Sequence, residues 1–113
     1  MAISPARRAA YDILLKVESG AGTSSELLAE SAETLGERDR TLCHELTLGT
    51  IRRQMFLDAA VAQKTKKQKM DIEVVIALRL GLYQLLFLDR VPDYSAINDS
   101  VELVRRAKKT SAK

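Results

Sequence analysis

Asp71-Ile-Glu-Val-Val-Ile-Ala-Leu-Arg-Leu-Gly-Leu-Tyr-Gln-Leu-Leu-Phe-Leu88 is the stretch whose reading decides the fold. At about 100° of rotation per residue, its apolar side chains point in nearly every direction around a helix. Ile72, Val75, Ile76, Leu78, Leu80, Leu82, Leu85 and Leu86 therefore predict a central helix buried among several others. Asp71 is placed to cap its start, and Val91-Pro92 closes the segment because proline disfavours helical geometry in the residue before it. The run from Val74 to Leu88 is too short to span a bilayer, and it carries Arg79 and Gln84. A guanidinium inside such a helix has to be paired. Arg79 is read as one half of a structural ion pair, with Glu45 and Asp99 as the natural acceptors and nothing in the sequence to choose between them.

Working outward, the same helical period recurs on both sides. Ser4-Pro5 opens a first helix, with serine able to cap free amides and proline tolerated at the first helical position. Ala6, Ala10, Ile13, Leu14 and Val17 form its inner stripe; Arg7, Arg8, Asp12 and Lys16 lie off that stripe, and Gly20 and Gly22 end it. Thr23-Ser-Ser-Glu26 forms a capping box for a short second helix holding Leu27 and Leu28. A third helix, the longest, is predicted from about Glu37 to about Gln63. It has two apolar faces: Leu42, Leu46, Gly49, Phe56, Leu57 and Ala60 on one, Leu48, Ile51 and Met55 on the other. Gly49 in its middle costs about 1 kcal/mol relative to alanine, which points to a close helix crossing. A last helix starts near Ser95 with Ile97, Val101 and Val104 inward. The fold class is thus all-α, a bundle of five helices, with no internal repeat and no strand.

Composition agrees. The chain has 113 residues, 46% hydrophobic and 29% charged, enough for one domain with a single core. One cysteine excludes an internal disulfide, and the opening residues lack the apolar core of a signal peptide, so a cytoplasmic location is expected. The formal net charge of +3 says less than its distribution. Candidate phosphate contacts are Arg7 and Arg8 in the first helix, the linker lysines Lys64, Lys66, Lys67 and Lys69, and Arg105 and Arg106 near the carboxyl end. No aromatic residue is interleaved with these groups, which predicts backbone and shape recognition rather than base stacking. The bland alternative for each is a solvated surface charge or a complement to a helix dipole.

Catalytic chemistry finds no footing. Cys43 and His44 are adjacent and point about 100° apart on a helix, the wrong arrangement for a shared metal or a nucleophile–base pair. No second Cys or His exists to complete a zinc site. Paired carboxylates and glycine-rich phosphate loops are missing as well, so the segment is read as no enzyme and as needing no cofactor or metal of its own.

Four stretches, in order, carry a resemblance to a known family. They are Ile3-Ser-Pro-Ala-Arg-Arg-Ala-Ala-Tyr-Asp-Ile-Leu14; Glu37-Arg-Asp-Arg40 with Glu45-Leu46 and Gly49-Thr-Ile-Arg-Arg53; Ala77 to Pro92; and Ala96-Ile-Asn-Asp-Ser-Val-Glu-Leu-Val104. Together they resemble the NusB-like RNA-binding domain at the front of Sun/Fmu-type ribosomal RNA cytosine methyltransferases. The resemblance implies ribosomal RNA as partner and a downstream catalytic domain. That domain would bind S-adenosylmethionine and use two cysteines to methylate carbon 5 of cytosine. It also implies a further helix, of Phe-Val-Asn-x-Val-Leu type, packing on the bundle. Without that helix an apolar groove is expected, filled by self-association into a homo-oligomer. Two other readings stay open: a free-standing NusB-type antitermination factor acting with a ribosomal protein, and a helical module that touches only protein. The lysine-rich linker and Cys43-His44 depart from the family pattern.

Overall fold

The computed structural model describes the backbone of residues 3–65, 70–88 and 93–111, with the side chains of 3–63, 70–88 and 96–106. Among the described residues six helices follow in order: α1 Pro5–Glu18, α2 Ser24–Ala32, α3 Glu37–Arg52, α4 Gln54–Thr65, α5 Ile72–Phe87 and α6 Asp93–Ser111. No strand occurs among the described residues. Two caps are those the local sequence predicts, whereas Asp71 stands at the start of α5 without a side-chain capping hydrogen bond. The Ser4 hydroxyl accepts from the Arg7 N–H with Pro5 at the first helical position, and Thr23 and Glu26 form a reciprocal capping box. α5 begins after Asp71 and ends at Leu88, whose backbone turns extended.

The predicted long third helix is two helices. At Arg53 the backbone leaves helical geometry (φ −101°, ψ 13°), which divides the run into α3 and α4. Cys43, Leu46 and Thr50 of α3 and Leu57 and Val61 of α4 are buried along one helical face that continues past the turn at Arg53, while the second predicted face, of Leu48, Ile51 and Met55, is not in the buried core. Met55 and Phe56, on the outside of that turn, are 89% and 58% exposed. The longest helix is α6, at 19 residues, and not the third.

α5 is central as predicted: it packs against α1, α3, α4 and α6, and Ile76, Ala77, Leu80 and Tyr83 lie in the core. Two glycines make its crossings possible. A Cβ on Gly49 of α3 would collide with the Tyr83 ring and hydroxyl, and a Cβ on Gly81 would collide with the Ser100 side chain of α6. The second crossing sets the rotation of α6. Ala96 and Leu103 turn inward, whereas Ile97 and Val101, predicted to be inward, are about half exposed. Leu86 is exposed too, so α5 is not buried on every side.

Polar groups tie the bundle together. Arg7 Nε donates to Gln84 Oε1 at 2.5 Å, and its NH1 reaches Asp99 Oδ2 at 3.3 Å, joining α1, α5 and α6. The Ser4 N–H donates to the same Asp99 oxygen, and Gln84 Nε2 donates back to Leu80 O. Tyr11 donates its hydroxyl to the Glu73 carbonyl. Burial, with Glu73 and Asp12 nearby, pushes the Tyr11 phenol up to about 12.

Candidate nucleic-acid interface

Two arginines that look alike in the sequence separate completely in the fold. Arg7 is 8% exposed, and its guanidinium is committed to Gln84, Asp99 and Ser4. Its reading as a phosphate contact loses ground, because a charge already paired with a carboxylate and largely out of solvent is held as a structural tie. Arg8, one residue on, is exposed and forms a loose pair with Asp12 at 3.4 Å. It borders a groove of about 330 Å³ between α1 and α2, where Lys16 adds a second positive charge but Asp12 and Glu30 balance both.

At the other end of the chain, Arg105 and Arg106 share one carboxylate, Glu102, at 3.5 and 3.4 Å. The two cations lie at i+3 and i+4 from the acid on an exposed helix surface, where such pairs contribute only a few tenths of a kcal/mol. Lys64 falls in the last turn of α4, its side chain outside the described set. Lys66, Lys67 and Lys69 lie outside the described residues altogether.

Arg79 is buried and paired, but not with the predicted acids. Its Nε and NH2 grip both oxygens of Asp58 at 2.6 and 3.0 Å, and Glu18 stands 3.9 Å away. Asp99 is held by Arg7, and Glu45 lies half-buried on α3. α4 packs against α5, which brings Asp58 to Arg79. The two-point fork is the strong geometry for a guanidinium and a carboxylate.

One cluster was not anticipated. Arg53 lies over the Phe87 ring at 4.7 Å, Phe56 meets Phe87 edge-on at 5.7 Å, and Tyr83 stacks on Phe87 at 5.6 Å. Arg53 is not among the phosphate candidates read from the sequence, so the cluster adds a cation beside aromatic rings to those candidates. No carboxylate of a described residue pairs with Arg52 or Arg53. The only hint in the sequence was the order Arg52-Arg53-Gln54-Met55-Phe56, two cations beside two large apolar groups in a helix with no room for them.

Cys43 is buried, which raises its thiol above the usual range despite the neighbouring Thr47 hydroxyl, while His44 is exposed. A protonated, enclosed thiol is a core residue rather than a nucleophile. Among the described residues no cluster of His, Cys, Asp or Glu is arranged to hold a metal, and no helix is long and apolar enough to cross a membrane.

The geometry defines an all-α bundle, tied by buried guanidinium networks, in which Arg52 and Arg53 are exposed and paired with no carboxylate of a described residue. The chain belongs to the NusB family, whose model matches residues 4–113. It is 38% identical over 109 residues to the ribosomal RNA small subunit methyltransferase B of Pseudomonas putida, covering 95% of this chain and 25% of that protein. A probable ribosomal RNA small subunit methyltransferase B of Bacillus subtilis is 33% identical over 88% of this chain and 23% of its own length. The transcription antitermination protein NusB of Lacticaseibacillus casei is 29% identical over 88% of this chain and 77% of its own length. The chain thus spans about a quarter of the length of the methyltransferase relatives. No solved structure matches it.

Proposed function

We propose that this chain is the RNA-holding segment of a ribosomal RNA methyltransferase. The observation that carries the reading is the coverage: nearly the whole chain matches, yet it accounts for only about a quarter of the methyltransferases it resembles. A NusB-family bundle attached to a larger enzyme fits a substrate-positioning part, because placing a reacting base correctly is itself a large share of catalysis. In the intact enzyme we infer S-adenosylmethionine as methyl donor and carbon 5 of cytosine as acceptor. We also infer a cytoplasmic location, and contact between this bundle and the catalytic domain. The residues described here do not fit the methyl donor. Gly49 and Gly81 are filled by helix crossings, and the α1/α2 groove is open and mixed in charge.

Arg8, Arg105 and Arg106, with Lys64, Lys66, Lys67 and Lys69, remain the phosphate candidates, joined now by Arg52 and Arg53. Filter binding to small-subunit ribosomal RNA fragments tests the reading. A handful of phosphate contacts predicts binding that weakens by about ten-fold or more between 50 and 200 mM salt. No binding at the lower salt would overturn it.

The second reading, an antitermination factor, is favoured by one observation: the chain covers most of the Lacticaseibacillus casei protein's length. It requires RNA binding that depends on an added ribosomal protein, which the same assay measures.

A further inference from the structure

We propose that Phe56 and Arg53, braced by Phe87, form a stacking platform for unpaired RNA bases, with Arg52 taking the adjoining phosphate. The inference deepens the RNA-holding reading and rests on it.

The aromatic inventory supplies the first reason. The chain contains only two phenylalanines and no tryptophan, and both phenylalanines sit in this one cluster with one of its three tyrosines. Core packing would bury them, yet Phe56 is more than half exposed beside the almost fully exposed Met55. A large apolar ring left in water beside positive charge marks an interaction surface. Rigidity is the second reason. Phe87 is stacked on buried Tyr83 and touched at its edge by Phe56, so the ring holding Arg53 is itself anchored in the core. The exposed Arg53 guanidinium is held 4.7 Å from the Phe87 centroid, and arginine planes and aromatic faces both take bases in single-strand binding.

Charge selects the occupant. Arg52 and Arg53 are exposed and paired with no described carboxylate, unlike Arg7, Arg8, Arg79 and Arg105. The patch combines ring faces with unneutralised cations, which matches a strand presenting bases and phosphates together. A duplex hides its base faces and offers phosphate alone, so the platform separates unpaired from paired RNA.

The test uses a short oligoadenylate and a blunt RNA duplex as probes, followed by fluorescence anisotropy. Phe56→Ala lies on the surface and is expected to melt with the parent chain. It should weaken oligoadenylate binding by about five-fold or more, leaving duplex binding unchanged. Phe56→Trp places an indole in a chain that has none, and its fluorescence should be quenched by oligoadenylate and not by the duplex. Arg53→Gln should weaken oligoadenylate binding further than Arg105→Gln. Parent-like oligoadenylate binding by Phe56→Ala overturns the platform while the RNA-holding reading stands. Equal loss for both probes overturns stacking and leaves a phosphate contact only. A change in self-association without any change in RNA affinity makes the patch a protein-docking face and overturns the proposal. If the parent chain binds neither probe at low salt, both the platform and the RNA-holding reading fail.

Discussion

Arg7 and Arg8 are neighbours with the same side chain, and the fold gives them opposite work. Replacing Arg7 with alanine leaves Asp99 without its cation and Gln84 Oε1 without its donor, both largely out of solvent. Breaking such a buried pair from one side costs about 3 kcal/mol, because the remaining charge stays desolvated. Arg8→Ala removes an exposed pair and should change stability by less than about 0.5 kcal/mol. Urea denaturation of the two variants measures the difference directly. If Arg7→Ala unfolds at the parent's midpoint yet loses RNA binding, Arg7 is a ligand after all and the tie is unimportant. The same contrast explains Arg79. Its fork onto Asp58 is a structural clamp between α4 and α5, at a place where sequence reasoning offered two other acids.

Between elements, the crossings matter more than the helices taken singly. Gly49→Ala would gain about 1 kcal/mol in an exposed helix, from propensity alone. Here the new methyl group meets Tyr83, so α3 and α5 must separate or Tyr83 must leave its stack on Phe87. Overpacking of this kind costs about 1–3 kcal/mol, which reverses the sign of the change. Thermal unfolding should therefore show Gly49→Ala destabilised, and a second change, Tyr83→Leu, should relieve part of the penalty in a double-mutant cycle. A Gly49→Ala variant more stable than its parent would mean the crossing is looser than the geometry states. The turn at Arg53 belongs to this scale as well. Beyond it Leu57 and Val61 are buried, Asp58 pairs with Arg79, and Met55 and Phe56 lie on the surface.

For the molecule as a whole, the open question is what meets its exposed apolar groups. On α6, Ile97 and Val101 stand one turn apart and about half exposed, and Leu86 of α5 is exposed also. Self-association through α6 is the expectation. Sedimentation at micromolar concentration should show a dimer that Val101→Glu converts to monomer. A monomeric parent chain would leave that face to another part of a larger protein. A second copy and an RNA strand would use different surfaces under this scheme, since Phe56 and Arg53 belong to the turn between α3 and α4. Val101→Glu should accordingly leave the oligoadenylate affinity almost untouched.

Reading the chain alone was enough for whatever depends on a few turns of backbone. Ser4-Pro5 and the Thr23–Glu26 box mark helix starts, because a cap and its amides are at most three residues apart. The all-round apolarity from Ile72 to Leu86 identified the central helix, Gly49 identified a crossing, and the ordered stretches from Ile3 to Val104 identified the family. The tertiary structure alone decided which of two adjacent arginines is buried, which acid holds Arg79, and that Arg53, Phe56 and Phe87 meet. Each of those outcomes turns on the rotation of one helix about another. Rotation is set by close approaches such as Gly49 on Tyr83 and Gly81 on Ser100, and by the single break at Arg53. Helical periodicity reports which residues share a face, but the direction that face takes is fixed only when the neighbouring helices pack against it.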